Sequence, residues 1–264
     1  MNNRPSPFSG PPPSEVPLAR APLIRVIGQV SFTHVLGVLD PLKIAPLQER
    51  LQADYQILTQ EFVQRIDISV GAQPTVRQET IWRLQDAAQS WRVSLAPTFV
   101  ALETPRYTSR QDFLRRFTAI VEALEVTLKP QLTQRVGLRY ISRIEREALH
   151  LLPNLLQPEF VGAVATPFGK AAQHLLTEAM IETDEAMLLA RWGKLPPGAT
   201  ADPQAIEPIG TESWIHDLDL FKELSVPFVS AELITMLEAL AKRQYAVFRF
   251  MVTDDYLRHY GGTP

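Results

Sequence analysis

The residues best placed to do chemistry are three arginines and two aspartates. Arg135, Arg139 and Arg143 stand four residues apart in T-Q-R-V-G-L-R-Y-I-S-R-I-E, the stretch from Thr133 to Glu145. Asp217 and Asp219 stand two apart in W-I-H-D-L-D-L-F. A flat row of guanidiniums can grip phosphate or carboxylate bidentately. The competing account is that neighbouring strands or a covering helix supply acids, since structural ion pairs far outnumber anion sites. Two carboxylates at i and i+2 share one strand face; a metal centre needs more ligands than these two, and facing Arg139 and Arg143 they would form ion pairs. The candidate ligand-binding set is Arg135, Arg139, Arg143, Asp217 and Asp219, with Tyr140 and Trp214 beside them.

No other pattern points to catalysis, a cofactor or a metal. The five histidines (His34, His150, His174, His216, His259) are scattered without HExxH or comparable ligand spacing. There is no GxSxG elbow, no GxGxxG and no Walker A loop. The absence of cysteine excludes disulfides, thiolate chemistry and cysteine-ligated zinc. Thr253-Asp254-Asp255 reads as a helix start rather than an acid pair. Tyr107, Trp192 and Trp214 sit on strand-like runs, where aromatics serve a core more often than a pocket.

The arginine stretch must be held by a strand for its residues to act together. Val136, Leu138, Tyr140, Ser142 and Ile144 then share one face, and Arg135, Gly137, Arg139, Ile141 and Arg143 share the other. A helix would also place positions i, i+4 and i+8 on one side. The internal glycine, the β-branched and aromatic content, and Pro130 upstream favour the strand.

Before it, Leu23 to Phe32 alternates as a half-buried strand, and Ile44 to Thr59 has a helical stripe of Leu47, Leu51, Tyr55 and Leu58, with Pro46 in its first turn. Strands are predicted over Gln64 to Val70, Thr80 to Asp86 and Trp91 to Glu103. Pro97 makes the last either two strands or a bulged edge strand. Ser109 to Lys129 is a helix that Pro130 stops.

Beyond the arginine strand, Leu151 to Lys170 reads as short helices or irregular chain, and Gln173 to Glu182 with Ala186 to Lys194 as a hairpin. Pro196 to Gly210 is a Pro/Gly/Ala loop, long enough to be mobile or functional. Trp214 to Phe221 is a strand, Ser230 caps a long helix, and Thr253 caps a short one that ends at Gly261.

This order implies an α+β fold: a pseudo-duplicated antiparallel sheet, β-α-β-β-β-α-β then β-β-β-α, with long helices packed on one face in a saddle-like or helix-grip arrangement. Residues 1–20, rich in Pro, Ser and Gly, read as a disordered tail. Residues 21–264 read as a single domain of two sub-halves, 21–150 and 151–264.

Composition narrows the function classes. With 264 residues, 45% of them hydrophobic and 21% charged, the chain has ample material for a globular core. A net charge of −3 argues against bulk nucleic-acid binding, which needs a basic footprint. No run approaches a membrane helix, and M-N-N-R followed by prolines has no apolar signal region, so the expected setting is cytoplasmic.

Several segments combine into a recognisable order: P-L-I-R-V-I-G-Q-V-S-F, then V-A-L-E-T-P-R-Y with F-x-x-x-F after it, R-V-G-L-R-Y-I-S-R-I, W-I-H-D-L-D-L-F and F-R-F-M-V-T-D-D. This resembles a sporadically distributed bacterial family of uncharacterised proteins, with a G-L-R-Y-I-N-like strand, a D-hydrophobic-D strand and a C-terminal V-T-D motif. The likeness extends over nearly all of the chain beyond the Pro-rich tail. Ser142 stands where the usual Asn follows Y-I. The family has no assigned catalytic residues, so the resemblance brings none. It implies a non-catalytic binding or regulatory protein, partner to another protein in a bacterial accessory, defence or toxin-control system. The alternatives are a small anionic-ligand or enzymatic cavity between sheet and helix, with Arg139 or Arg143 taking the anion, and an RNA-binding module.

Overall fold

The computed structural model describes residues 4–67 and 75–264. In chain order the elements are β1 (Leu23–Phe32), a 3-10 turn (Leu36–Leu39), α1 (Pro41–Leu51), β2 (Ile57–Asp67), β3 (Thr75–Gln85), β4 (Arg92–Ala96), β5 (Phe99–Thr104), α2 (Arg110–Thr127) and β6 (Leu132–Glu145). Then come the short helices α3 (Leu152–Leu155), α4 (Pro158–Val161) and α5 (Pro167–Ala171), followed by β7 (Leu175–Glu182), β8 (Met187–Leu195), β9 (Ser213–Pro227), α6 (Ser230–Met251) and α7 (Asp254–His259). The strands make one antiparallel nine-stranded sheet in the order β2-β3-β4-β5-β1-β6-β9-β8-β7. The fold is α+β, and the arginine stretch is an interior strand of the sheet.

The chain divides into two compact units, neither of them continuous in sequence. The first comprises Met1–Val26, Leu138–Lys222 and Glu238–Pro264; the second comprises Ile27–Gly137 and Glu223–Leu237. The sub-halves expected at 21–150 and 151–264 are therefore not the units. The reason is that β1, β6, β9 and α6 are long elements that each contribute residues to both.

In the second unit, α2 is capped by Ser109, whose hydroxyl accepts from the Asp112 amide, and buries Phe113, Phe117, Ile120, Val121 and Leu124 on one stripe. The Pro97 ambiguity resolves into two strands, with Ala96 opposite Phe99 across the turn of the β4–β5 hairpin. Trp82 is buried, and its indole donates to the Val38 carbonyl at 2.7 Å.

The structure departs from three local expectations. The helix predicted to Thr59 ends at Leu51, and β2 starts at Ile57; Tyr55 is still buried, but Leu58 lies exposed on an edge strand. A 3.6-residue spacing had joined two residues that serve different elements. Because α1 starts at Pro41, Pro46 sits inside the helix rather than in its first turn. Residues 68–70 of the predicted Gln64 to Val70 strand lie outside the described residues. The third concerns the α6 cap: Ser230 is the first helical residue, and Glu125 of α2 does the capping. Its carboxylate accepts from the Ser230 hydroxyl at 2.7 Å and from the Ser230 amide at 3.3 Å.

In the first unit, β7 pairs with β8 and β8 with β9, both antiparallel. Gly193 in β8 has φ +151°, and a Cβ there would stand 2.0 Å from the Leu175 carbonyl oxygen, so only glycine lets β7 approach. Leu240, Gln244 and Met251 of α6 are buried, and the Gln244 amide donates to the Leu218 carbonyl of β9. Thr253 caps α7, as its position predicts.

Residues 4–20 are not a free tail in this structure. They have no helix or strand, yet they are tied to the helices of the first unit. Val16 donates its amide to the Tyr245 hydroxyl at 2.8 Å, Arg243 donates to the carbonyls of Pro7 and Gly10, and the Arg20 amide reaches the Tyr260 carbonyl at 3.0 Å. Composition alone reads such a segment as disordered because its anchors lie more than 200 residues away in sequence.

Candidate functional site

β6 and β9 place their charged residues by simple alternation. On β6, Arg139 and Arg143 point away from the face that carries Leu138, Ser142 and Ile144. On β9, Asp217 points away from the face that carries Trp214, His216 and Leu218. The two strands thereby meet charge with charge on one face of the first unit.

Arg139 makes a two-pronged bond to Asp217, with Nε to Oδ1 and Nη2 to Oδ2 both at 2.7 Å. Its Nη1 donates to Asp202 Oδ2 at 2.8 Å. Arg191 of β8 donates from Nη1 to Asp217 Oδ2 at 3.3 Å and from Nε to Glu178 of β7 at 2.6 Å. The side chains of Asp217 and Arg139 are only 2% and 16% exposed, so these are charges taken largely out of water. Two guanidiniums meet three carboxylates, and the cluster has no positive excess.

Burial alone would ease the proton off Arg139, but the hydrogen bonds and charge of Asp217, then of Asp202, outweigh it and hold the guanidinium more firmly charged than usual. Asp202 shows the converse. Burial raises its carboxyl, and Arg139 more than reverses this, leaving it below the ordinary aspartate range. Arg191 is likewise raised against its burial, by Glu178 and Asp217.

Asp202 comes from the 196–210 loop, whose length and composition suggest a mobile or functional segment. The loop is instead fastened to the sheet by arginines of two strands. Arg25 of β1 donates to the Gln204 carbonyl at 3.0 Å, Arg139 to the Asp202 carboxylate, and Arg143 to the Glu207 carbonyl. Within the loop, the Thr200 hydroxyl donates to the Ile206 carbonyl, and the Ile206 amide reaches the Asp202 carbonyl at 2.7 Å. Ile206 is fully buried. The signal that could have found Asp202 is T-A-D-P, a turn-initiating aspartate before proline followed by the apolar Ala205-Ile206.

The other predicted residues separate from the cluster. Arg135 lies on the part of β6 that belongs to the second unit, where it is half-buried. Asp219 is half-buried on the Asp217 side of β9, and Tyr140 is half-buried on the opposite side of β6 from Arg139. Trp214 is buried on the far face of β9 and donates its indole N–H to His216 Nε2 at 3.0 Å, so it does not join the aspartates. That bond leaves the proton of a neutral His216 on Nδ1, which is buried without a partner. Burial pulls His216 down to about 4, and the imidazole is therefore neutral at pH 7.

Arg143 is the exception on the charged face. It is 7% exposed, yet among the described residues its one side-chain hydrogen bond goes to the Glu207 carbonyl, and its Nε is buried with no partner. Burial lowers its proton affinity, and Glu145 and Glu207 offset this only in part. Among the described residues no three His, Cys, Asp or Glu side chains gather where they could hold a metal ion, and Asp217 is bonded to Arg139 and Arg191. No helix among them is long and apolar enough to cross a membrane. No protein-family model and no curated protein matches the chain.

Proposed function

We propose that this chain is a non-catalytic binding or regulatory protein whose partner is another protein. The observation that supports this most is the closure of the polar cluster around Arg139 and Asp217. Arg139 is taken up by Asp217 and Asp202, and Asp217 is shared with Arg191, so the groups best suited to grip a substrate anion are already paired. A role in an accessory, defence or toxin-control system is the reading that the resemblance to the sporadic bacterial family adds. The test is affinity purification of the tagged full chain from its native host, with mass spectrometry of everything retained. A protein co-purifying in stoichiometric amount is the expected result. Recovery of the chain without any protein contradicts it.

A second reading, a small anionic ligand, rests on Arg143 alone. A buried guanidinium whose one side-chain hydrogen bond goes to a carbonyl, and whose burial Glu145 and Glu207 offset only in part, is costly, and an incoming carboxylate or phosphate would relieve that cost. A small anion retained at one per chain, and lost on Arg143→Met, would favour it.

A further inference from the structure

We propose that the C-terminal end of α6 carries a guanidinium-binding pocket, which Arg4 fills in cis and which an arginine-bearing segment of a partner protein takes over. The inference rests on the binding-protein reading and names the chemistry that partner must offer.

Three kinds of contact converge on Arg4. Its Nη1 donates to the Phe250 carbonyl at 2.6 Å, its Nη2 to Glu159 Oε2 at 3.1 Å, and its guanidinium lies 4.4 Å from the centre of the Phe250 ring. The carbonyl belongs to the last turn of α6, where the negative end of the helix dipole favours a cation. Phe160 packs edge-on against Phe250 at 6.0 Å and against Trp192 at 5.4 Å, which holds the ring in place. A planar fork over an aromatic face, with one nitrogen on a carbonyl and the other on a carboxylate, is a fit that ammonium cannot copy. Next to it, Arg243 donates to the Pro7 and Gly10 carbonyls, so the pocket accepts an arginine followed by a turn.

The arm is lightly held. None of residues 4–20 is buried, and most are exposed. Ordering each residue of the arm costs backbone entropy, which such shallow contacts offset narrowly. A second copy of the chain gains nothing by exchange, because its identical arm competes with one already tethered at an effective concentration on the order of millimolar. A foreign segment with additional contacts can displace the arm.

The test is fluorescence anisotropy with a labelled, N-acetylated peptide of residues 4–10 (R-P-S-P-F-S-G), titrated with the full chain and with its Arg4→Ala variant. The variant is expected to bind on the order of tenfold more tightly than the wild type, and a peptide with lysine at its first position to lose about tenfold. Glu159→Gln added to the Arg4→Ala chain should weaken binding again. Equal affinity of both chains, lysine as good as arginine, or no binding to an Arg4→Ala chain of unchanged melting temperature would overturn the pocket. Concentration-dependent dimerisation of the wild type in sedimentation, abolished by Arg4→Ala, would make a second copy the occupant and overturn the claim of a foreign partner. Failure of the peptide assay leaves the co-purification result standing, and recovery without any protein leaves the peptide result standing, so the two readings fail separately.

Discussion

Neighbouring residues of β9 handle burial in opposite ways. Asp217, on the loop-side face, is hydrogen-bonded by both Arg139 and Arg191. His216, on the far face with Trp214, gives its charge up, because nothing there compensates for lost hydration. The two faces teach that a buried polar group on this sheet is tolerated either paired or neutral. Arg143 meets neither condition fully, which is why it stands out.

Breaking the paired face should cost most. Asp217→Ala leaves Arg139 with Asp202 alone and Arg191 with Glu178 alone in a largely dry environment, and unfolding in urea should show a loss of about 3–5 kcal/mol. On the neutral face the comparison is sharpened by acid. The folded-state value of His216 lies below the ordinary 6.5, so its contribution is complete above pH 6.5 and is lost as the pH falls toward about 4. The loss should be on the order of 3 kcal/mol, and His216→Gln should flatten that part of the stability profile.

Asp202→Asn should cost about 1 kcal/mol and raise proteolysis within 196–210, since one of the loop's three arginine contacts loses its charge. Because the Asp202 carboxyl is held low, its contribution is present above the ordinary value of 3.8 and fades as the pH falls below it. Stability profiles of the wild type and the Asp202→Asn variant at pH values below 3.8 check the sign, because the variant should lack that fading. Arg143→Met should change stability by less than about 1 kcal/mol, since it removes an under-satisfied charge while keeping most of the volume. A loss as large as that of Asp217→Ala would place Arg143 among the paired charges after all.

Much of this architecture could be read in advance because it depends on local alternation. The arginine strand, the D-x-D strand and the β7–β8 hairpin declare their faces within a short span of chain, and the structure agrees with them. The Arg139–Asp217 pair was within reach for the same reason: both residues lie on faces that period-2 spacing predicts. What escaped depends on closure over long distances. Asp202 and Arg191 are identified only when the loop and β8 have found the sheet, and Glu125 caps α6 from a helix 105 residues earlier. The unit boundaries escaped because they fall inside long elements. The anchored arm escaped because proline-rich composition carries no trace of Arg243 or Tyr245.

The central claim is that the charged face of the first unit is a closed structural ion network rather than a vacant anion site. A double-mutant cycle of Arg139→Met and Asp217→Leu, followed by urea unfolding, tests it most directly. Each single variant should lose several kcal/mol, and the double variant should recover much of the loss, with a coupling of about 2–3 kcal/mol. Additive losses with coupling near zero would show that the two residues do not depend on each other, and would contradict it.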